Sequence, residues 1–371
     1  LPEAAGRRDT PGRPARRRPP RDTADDCSAL TDAAGWSEDA TRSVAPHCGT
    51  TLRVVGRPRR ERHPAPMSPD IRPILHHYPG TVRCLNWLPL GSGGGFSGAS
   101  VWRGDAAGEP TFALKAWPPR YPPDRLDIVH RWMRLVAHLS FVPHITATVA
   151  GPTSVAHAGR LWDVTTWMPG AADFAANPSD ARLAAACAAL AALHRAWAAD
   201  ESTLAPCPAV VRRLGLFAGY RPPPVSDPLA RRAVALLARA VPEAVTALRP
   251  WAVRPVPVFP CLCDVWHDHV LLTGDIVTGV IDYGAMKVDH PAVDLARLLG
   301  DLVGDDRPRV LAGLAAYRAA GGPVDLPDDL VVLLDRTGVV GAVVHWVGRV
   351  AAGEPAPPRF ARLVDRLATS H

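Results

Sequence analysis

Lysine and asparagine are nearly absent from this chain. Of its 42 basic residues, Lys115 and Lys287 are lysines and the rest are arginines, and asparagine occurs only at positions 86 and 177. This skew is typical of a GC-rich genome, which uses arginine wherever either basic residue will serve. A lysine that remains in such a chain is a candidate for a position that needs a compact ammonium, although two could also remain by chance.

The chain also lacks the patterns of a disulfide-stabilised or membrane-spanning protein. Its seven cysteines are scattered and odd in number, which favours reduced thiols in the cytoplasm over a disulfide framework. Apolar runs without charge fall short of the roughly 20 residues that a membrane span needs, and the longest candidate, residues 331–350, is interrupted by charged side chains. With 371 residues and a net charge of +6, we expect a two-lobed globular protein with no membrane partner and no strong affinity for nucleic acid.

Residues 1–66 are rich in arginine, proline, alanine and aspartate and show no sustained periodicity. Such a segment cannot bury enough apolar surface to offset the entropy of ordering, so the composition predicts a disordered extension. Its basic clusters, at 16–18 and 57–62, leave open an arm that binds nucleic acid or an anionic surface. Because residue 67 is a methionine that resembles a natural start, the extension could also be non-native.

The stretch from Cys261 to Gly284 has the most informative pattern. An acidic, histidine-rich segment is followed by two apolar runs, 270–272 and 277–281, around a glycine-containing turn, which predicts a β-hairpin. Asp264 and Asp282 would lie at the open end of this hairpin. Phosphoryl transfer uses such a pair, because one carboxylate orients the attacking hydroxyl and the other holds Mg²⁺ against the phosphates.

These residues resemble the catalytic loop and metal-binding motif of the aminoglycoside phosphotransferase and choline kinase group, relatives of the protein kinases. That family has His-Gly-Asp, four residues, Asn, two strands and then Asp-Phe/Trp-Gly. Asp264 matches the first aspartate, His269 stands at the Asn position, and Asp282 matches the second aspartate. The resemblance continues at 289–296, where the family often has an Asp-Pro…Asp-Leu-Ala run, and covers most of residues 80–300 more weakly.

The resemblance implies an α+β, two-lobed protein-kinase-like fold, with a β-rich, nucleotide-binding lobe at 67–168 and a helical lobe at 169–371. It also implies ATP-dependent transfer of the γ-phosphoryl group to a hydroxyl of a small molecule. Apolar spacing predicts helices in the second lobe at 181–199, 229–248, 291–303, 307–320, 328–350 and 358–368. The helix at 229–248 is expected to be interrupted near Pro242.

The resemblance also assigns roles within the catalytic stretch. Asp264 would orient the acceptor hydroxyl, and Asp282, with His269 or Asp268, would hold Mg²⁺ or Mn²⁺. The same loop contains four residues of types that bind zinc: Cys261, Cys263, His267 and His269. Their Cys-x-Cys and His-x-His spacing matches structural zinc sites poorly, but a zinc site stays open.

A strand, a glycine-rich turn and a second strand are predicted at 81–103. The turn would bring backbone N–H groups close to nucleotide phosphates. Four residues are the candidate phosphate contacts: Gly94, Gly95, Ser97 and Gly98. Alone, such a turn is equally typical of a flexible hairpin. The next strand carries Lys115, and the resemblance implies that Lys115 binds the α- and β-phosphate oxygens.

A helix is predicted from Pro123 to His138. In kinase-like folds a glutamate of this helix holds the lysine, but this chain has no glutamate between positions 109 and 201. Asp127 is the nearest substitute by placement, and His130 is the other. Asp127 is equally typical of a plain surface residue.

Trp167 and Met168 precede a Pro-Gly break at the position of the family's hinge between lobes, where main-chain groups bind adenine. Both are therefore candidate adenine neighbours, although such a pair is also typical of a core. The missing helix glutamate and the histidine at 269 leave open a catalytically inactive relative that binds a nucleotide or a partner.

Overall fold

A six-stranded antiparallel sheet occupies the first part of the described chain. The structure is a computed structural model that describes residues 70–91, 98–323 and 326–370. The strands are β1 (Asn86–Gly91), β2 (Ser100–Ala106), β3 (Glu109–Ala116), β4 (Ile145–Thr146), β5 (Val155–His157) and β6 (Arg160–Thr166). They lie in the order β1-β2-β3-β6-β4, and β5 also pairs with β6.

Alternation along β3 and β6 sorts their side chains between two faces of this sheet. Leu114 and Trp162 are buried in an apolar core that also contains the short helices α1 (Arg72–Leu75) and α2 (Gly80–Arg83). Successive residues of a strand point to opposite faces. Lys115 and Asp163 therefore face the other side, where the helix α3 (Pro123–Leu135) packs. The start of the strand predicted at 81–90 is helical, since α2 occupies that position.

The second lobe consists of helices with two small sheets. The helices are α4 (Asp180–Glu201), α5 (Pro208–Gly219), α6 (Pro228–Leu248), α7 (Ala292–Leu302), α8 (Arg307–Ala319), α9 (Asp328–Ala351) and α10 (Pro358–Ser370). Strands β7 (Thr203–Pro206), β8 (Pro255–Cys261) and β11 (Lys287–Asp289) lie in the order β11-β8-β7, while β9 (Val270–Thr273) and β10 (Ile276–Val280) form the predicted hairpin. The alanine-rich α4 packs against α8 and β8.

Prolines lie inside regular elements of this lobe, and one of them differs from the expectation of an interruption near Pro242. Pro242 does not interrupt α6, whose residues on either side of it, Val241 and Ala244, are buried in the core. Tertiary packing of this kind offsets the hydrogen bond that a proline removes from a helix. The proline-rich segment 255–261 is a strand, because each half of β8 pairs on one edge only, the first half with β7 and the second with β11. A missing N–H on the open edge costs no ladder bond.

Helix α9 is long and apolar enough, by length and composition alone, to span a membrane. The expectation of no membrane partner stays a prediction. Half of its most apolar window is buried in the structure, where α9 contacts α5, α6, α7 and α10. Core helices of globular proteins pass the same test, so the finding is weak support for a membrane span.

Candidate active site

The loop between β8 and β9 is anchored on one buried carboxylate. The backbone N–H groups of Leu262 and Cys263 donate to the two oxygens of Asp294, at 2.8 and 2.7 Å. Asp294 lies in the first turn of α7 with no exposed side-chain surface, and His194 of α4 bonds to it at 3.0 Å. Cys263 has φ of +63°, a left-handed conformation that favours glycine, and it stands where the resembling motif has glycine.

Two further residues on the same face of α7 bind this loop. Arg297 donates to the carboxylate of Asp264 at 2.9 Å. Asp301 accepts from the backbone N–H of His267 at 2.7 Å and from its ring Nδ1 at 2.6 Å. Residues 294, 297 and 301 recur at helical spacing, so one face of α7 sets the conformation of the whole loop. The structure thus places Asp264 on a braced segment.

Asp264 is a mostly buried carboxylate, with 12% of its side chain exposed. Burial raises its pKa above the usual value, while the charge of Arg297 acts in the opposite direction. A partly desolvated carboxylate that keeps one cationic partner is suited to accept a proton from a hydroxyl.

The hydrogen bonds of His269 define its tautomer. Its Nδ1 lies 2.6 Å from the carbonyl oxygen of Asp264, which only accepts, so Nδ1 carries the proton. Its Nε2 accepts from the indole N–H of Trp266 at 2.9 Å, because that N–H only donates. The same Nε2 lies 3.8 Å from Asp282 Oδ2. His269 is therefore a neutral neighbour of Asp282 whose lone pair is engaged by Trp266.

Asp268 points to a different partner. One of its oxygens lies 3.3 Å from Nε2 of His267. Burial lowers the pKa of His267, but the hydrogen bond and charge of Asp301, followed by the charge of Asp268, raise it above its usual value overall. Among the described residues, no hydrogen bond or ion pair joins Asp268 to Asp282. Of the two expected companions of Asp282, the structure brings His269 to it and not Asp268.

Asp282 follows β10 and meets the sheet lobe through Lys115. The lysine ammonium donates to Asp282 Oδ1 at 2.8 Å and lies 4.1 Å from the centre of the Trp117 ring. The charge of Lys115 holds the pKa of Asp282 well below its usual range. Asp282 has φ of +60°, and a side chain at Gly284 would come within 2.9 Å of the Trp117 ring. The Asp-Tyr-Gly segment thus depends on glycine for its close approach to β3.

Helix α3 does not supply the expected partner of Lys115. Asp127 is exposed, and among the described residues it makes no ion pair with the lysine, because Leu126, Val129 and His130 form the packed face of the helix. His130 is buried, and its Nε2 lies 2.8 Å from Oδ2 of Asp163 on β6. The expectation for Asp127 is therefore not supported by its position.

Two hydrogen bonds connect residues near the start of α3 to the segment that follows Asp282. Arg125 donates to the carbonyl oxygen of Met286. The hydroxyl of Tyr121 donates to the carbonyl oxygen of Gly284 at 3.0 Å. These bonds fix the start of α3 against the segment that follows Asp282.

The remaining candidate nucleotide contacts lie at the edges of the site. Trp167 is half-buried and Met168 buried, and Met168 packs against Gly279 of β10. Gly170 has φ of +101° and would clash with Thr278 if it carried a side chain. Gly98 is exposed with φ of +72°, and its carbonyl oxygen accepts from Arg160. Three predicted phosphate contacts fall outside the described residues: Gly94, Gly95 and Ser97. The 1–66 extension also lies outside them.

The four residues of the zinc alternative each bond to a different group. Sγ of Cys261 donates to the carbonyl oxygen of Asp289 at 3.4 Å, and that of Cys263 lies 4.0 Å from the carbonyl oxygen of Lys287. His267 bonds to Asp301 of α7 and lies beside Asp268, whereas His269 bonds to the carbonyl oxygen of Asp264 and to Trp266. This arrangement does not gather the four ligands around one position, so the zinc alternative finds no support among the described residues.

Two lobes, one β-rich and one helical, with a lysine of the first meeting an aspartate of the second, define a kinase-like protein. The chain belongs to the phosphotransferase enzyme family, whose model matches residues 90–327. The predicted family and the predicted two-lobed fold are thereby confirmed. No curated protein sequence matches this chain.

Solved structures share this fold at low sequence identity. A spectinomycin phosphotransferase in complex with ADP and spectinomycin is 12% identical, with a TM-score of 0.58, covering 81% of this chain and 93% of its own. An amicoumacin kinase in complex with AMP-PNP and Ca²⁺ is 13% identical, with a TM-score of 0.55 and coverages of 79% and 90%. An aminoglycoside phosphotransferase from Alicyclobacillus acidocaldarius is 18% identical, with a TM-score of 0.52 and coverages of 83% and 93%.

Proposed function

We propose that this protein is an ATP-dependent phosphotransferase that moves the γ-phosphoryl group to a hydroxyl of a small molecule. The observation that carries the proposal is the meeting of Lys115 and Asp282 at 2.8 Å beside the loop that holds Asp264. Family membership supports phosphotransfer, and the spectinomycin and amicoumacin enzymes support a nucleotide together with a small-molecule acceptor.

Asp282 fits a divalent cation. Its carboxylate is 47% exposed, and hard oxygen donors are the ligands that Mg²⁺ and Mn²⁺ prefer. His269 can also bind the cation, on condition that its Nε2 is released from Trp266. The single lone pair of Nε2 now accepts from the indole N–H and cannot bind a metal at the same time. A bound cation neutralises the charge that develops on the phosphates. Asp282 would hold it, and Lys115 would bind the α- and β-phosphate oxygens.

Asp264 would act on the acceptor. Its carboxylate would take or orient the proton of the attacking hydroxyl, while Arg297 holds its position and keeps it ionised. Trp167 and Met168, with Gly98, would border the adenine and phosphates at the edges of the site. The resemblance and the positions of these residues support the proposed roles.

The acceptor itself is best found by screening. Three acidic residues in the last turn of α7 and just after it are candidate attractors of a cationic amino sugar, but each has a structural partner. Asp301 binds His267, Asp305 accepts from Arg366 at 3.1 Å, and Asp306 caps α8. ATP consumption measured against panels of amino sugars, amino alcohols and nucleosides would identify the class. If the protein binds nucleotide but consumes no ATP with any of these acceptors, the proposed transfer is contradicted.

The second candidate function is an inactive relative that binds nucleotide without transferring phosphate. The engaged lone pair of His269 and the absence of a helix glutamate favour it. Nucleotide binding is common to both functions, and a turnover measurement separates them.

ATP with Mg²⁺ or Mn²⁺ should raise the melting temperature, because a ligand that binds only the folded state stabilises it, by about 2.7 kcal/mol at a hundred times Kd. Lys115→Ala should shrink this shift, since the ammonium contacts the phosphates. Lys287→Ala is the matched control, because it removes the chain's other lysine, on β11. A wild-type protein with no shift at millimolar ATP and metal would contradict both candidate functions.

Metal preference should report on His269. Imidazole suits softer divalent ions than Mg²⁺, so the shift with ATP should be larger with Mn²⁺, and His269→Asn should move the preference toward Mg²⁺. Trp266→Phe removes the N–H that occupies Nε2, and it should lower the Mn²⁺ concentration needed for half of the shift. Asp268→Asn is the control and should change neither. Identical metal dependence in all four proteins would show that His269 is not a ligand.

A further inference from the structure

Lys115 needs a second carboxylate if Asp282 is to hold a cation. In the structure the lysine ammonium bonds to Asp282 at 2.8 Å. An ammonium and a divalent cation repel each other at a shared carboxylate. The lysine must therefore leave Asp282 when the metal-bound nucleotide enters. No glutamate of α3 is available to receive it, and Asp127 is exposed.

Asp163 lies where such a partner is required. Strands β3 and β6 are antiparallel neighbours, and their register places Lys115 directly opposite Asp163. Directly opposed residues project from the same face, with Cβ atoms about 5 Å apart. Asp163 is 4% exposed, so its charge is poorly screened by water. The ammonium of Lys115 is thus within reach of a buried carboxylate by rotation of its flexible side chain.

His130 holds this carboxylate in place. Its Nε2 donates to Asp163 Oδ2 at 2.8 Å, and its Nδ1 lies 2.8 Å from the hydroxyl of Thr153. The imidazole is 1% exposed and fixed at both nitrogens. Among the described residues, the hydrogen bonds to Asp163 engage Oδ2, so Oδ1 is left for the ammonium.

Electrostatics favour the same pairing, since an ammonium and a poorly hydrated carboxylate on directly opposed residues attract each other. A carboxylate buried with a histidine as its partner is also stabilised by a nearby cation.

We propose that Asp163, held by His130, is the carboxylate that positions Lys115 on the nucleotide phosphates. This inference rests on the proposed function. In the structure Lys115 bonds to Asp282, and on nucleotide binding its ammonium moves to Asp163 and the phosphate oxygens. The strand β6 thus supplies the charge that a helix glutamate supplies elsewhere, and α3 contributes through His130. Asp163 is a positioning residue, because it acts through the lysine.

Asp163→Asn tests the proposal, because it removes the charge and keeps an oxygen that accepts from His130. By titration calorimetry with ATP and Mn²⁺, the variant should bind about tenfold more weakly or worse. In a Lys115→Met background the same change should have no further effect, because Asp163 acts through the lysine. Equal losses in both backgrounds would show a purely structural role and overturn the inference.

Asp105→Asn is the matched control. Asp105 is a buried carboxylate of the same sheet, on β2, paired with Arg103 at 2.9 Å. Its replacement should leave ATP affinity unchanged. If Asp163→Asn does not fold, His130→Gln is measured in its place, in the wild-type and the Lys115→Met backgrounds. A wild-type protein that binds no ATP would overturn the proposed function, whereas unchanged affinity in Asp163→Asn would overturn this inference alone.

Discussion

Asp264→Asn should reduce phosphoryl transfer by about 10²-fold or more, since general base catalysis contributes on that order. ATP affinity should stay unchanged, because Asp264 acts on the acceptor and not on the nucleotide. The variant keeps the size of the side chain and an oxygen that accepts from Arg297 at the position now bonded at 2.9 Å. Once an acceptor is identified, kcat measured beside calorimetric Kd separates the two effects.

The pH dependence provides an independent check on this role. A protonated Asp264 accepts no proton, so the transfer rate should fall as pH drops through its pKa, which burial raises above the usual value. The charge of Arg297 lowers that pKa. Arg297→Met should therefore move the acid limb of the rate profile to higher pH, and Arg297→Lys should largely keep it in place.

Asp275→Asn is the control for both measurements. Asp275 is a carboxylate of the β9–β10 turn with 63% of its side chain exposed, and it should affect neither the rate nor the acid limb. Retention of transfer by Asp264→Asn would contradict the role of this residue. A slower Arg297→Met variant with an unmoved acid limb would instead assign Arg297 to the loop conformation alone.

Local patterns in the sequence predicted the elements that carry the site. The β9–β10 hairpin was readable because two short apolar runs flank a glycine turn. The turn sets the register beside it, but not the register shift between Val277 and Gly279. Lys115 was readable from its rarity and its place on a strand after a glycine-rich turn. The structure joins Lys115 to Asp282, although the two lie far apart in sequence.

The residues that brace the site were harder to predict, because each depends on long-range packing. Asp163 became a candidate only through the register of β6 against β3, which no local pattern fixes. His130 was a candidate because of its place on α3, but its hydrogen bond to a carboxylate on β6 was not predicted. Asp294 and Arg297 did leave a signal, since polar residues at helical spacing on an otherwise buried helix must meet polar partners.

The conformation of Cys263 illustrates a different limit. A left-handed φ is expected of glycine, and a cysteine at that position gives no local sign of it. The strain is tolerated because the N–H groups of Leu262 and Cys263 are both held by Asp294. Only comparison with the His-Gly-Asp motif marks the position as one that needs this backbone.

Asp294→Ala should have the largest effect on stability. Asp294 has no exposed side-chain surface, and it receives bonds from two backbone N–H groups of the catalytic loop and from His194. Its removal leaves two buried donors and one partly buried donor without an acceptor, and breaking such a network costs about 3–5 kcal/mol. Urea denaturation should show this loss as a lower midpoint. Transfer should fall as well, because the loop that carries Asp264 loses its anchor.

Asp365→Ala gives the comparison that makes the test decisive. Asp365 is 64% exposed and pairs with Arg232 at 2.7 Å on the surface. Such exposed pairs contribute less than about 1 kcal/mol, so its removal should scarcely move the urea midpoint. The urea midpoint of Asp294→Asn should fall between those of the two alanine variants. Its amide keeps one accepting oxygen, but its NH₂ group faces a backbone donor where the second oxygen now accepts. If Asp294→Ala were no less stable than Asp365→Ala, the loop would not depend on α7 for its conformation, and the bracing of Asp264 through Asp294 would be wrong.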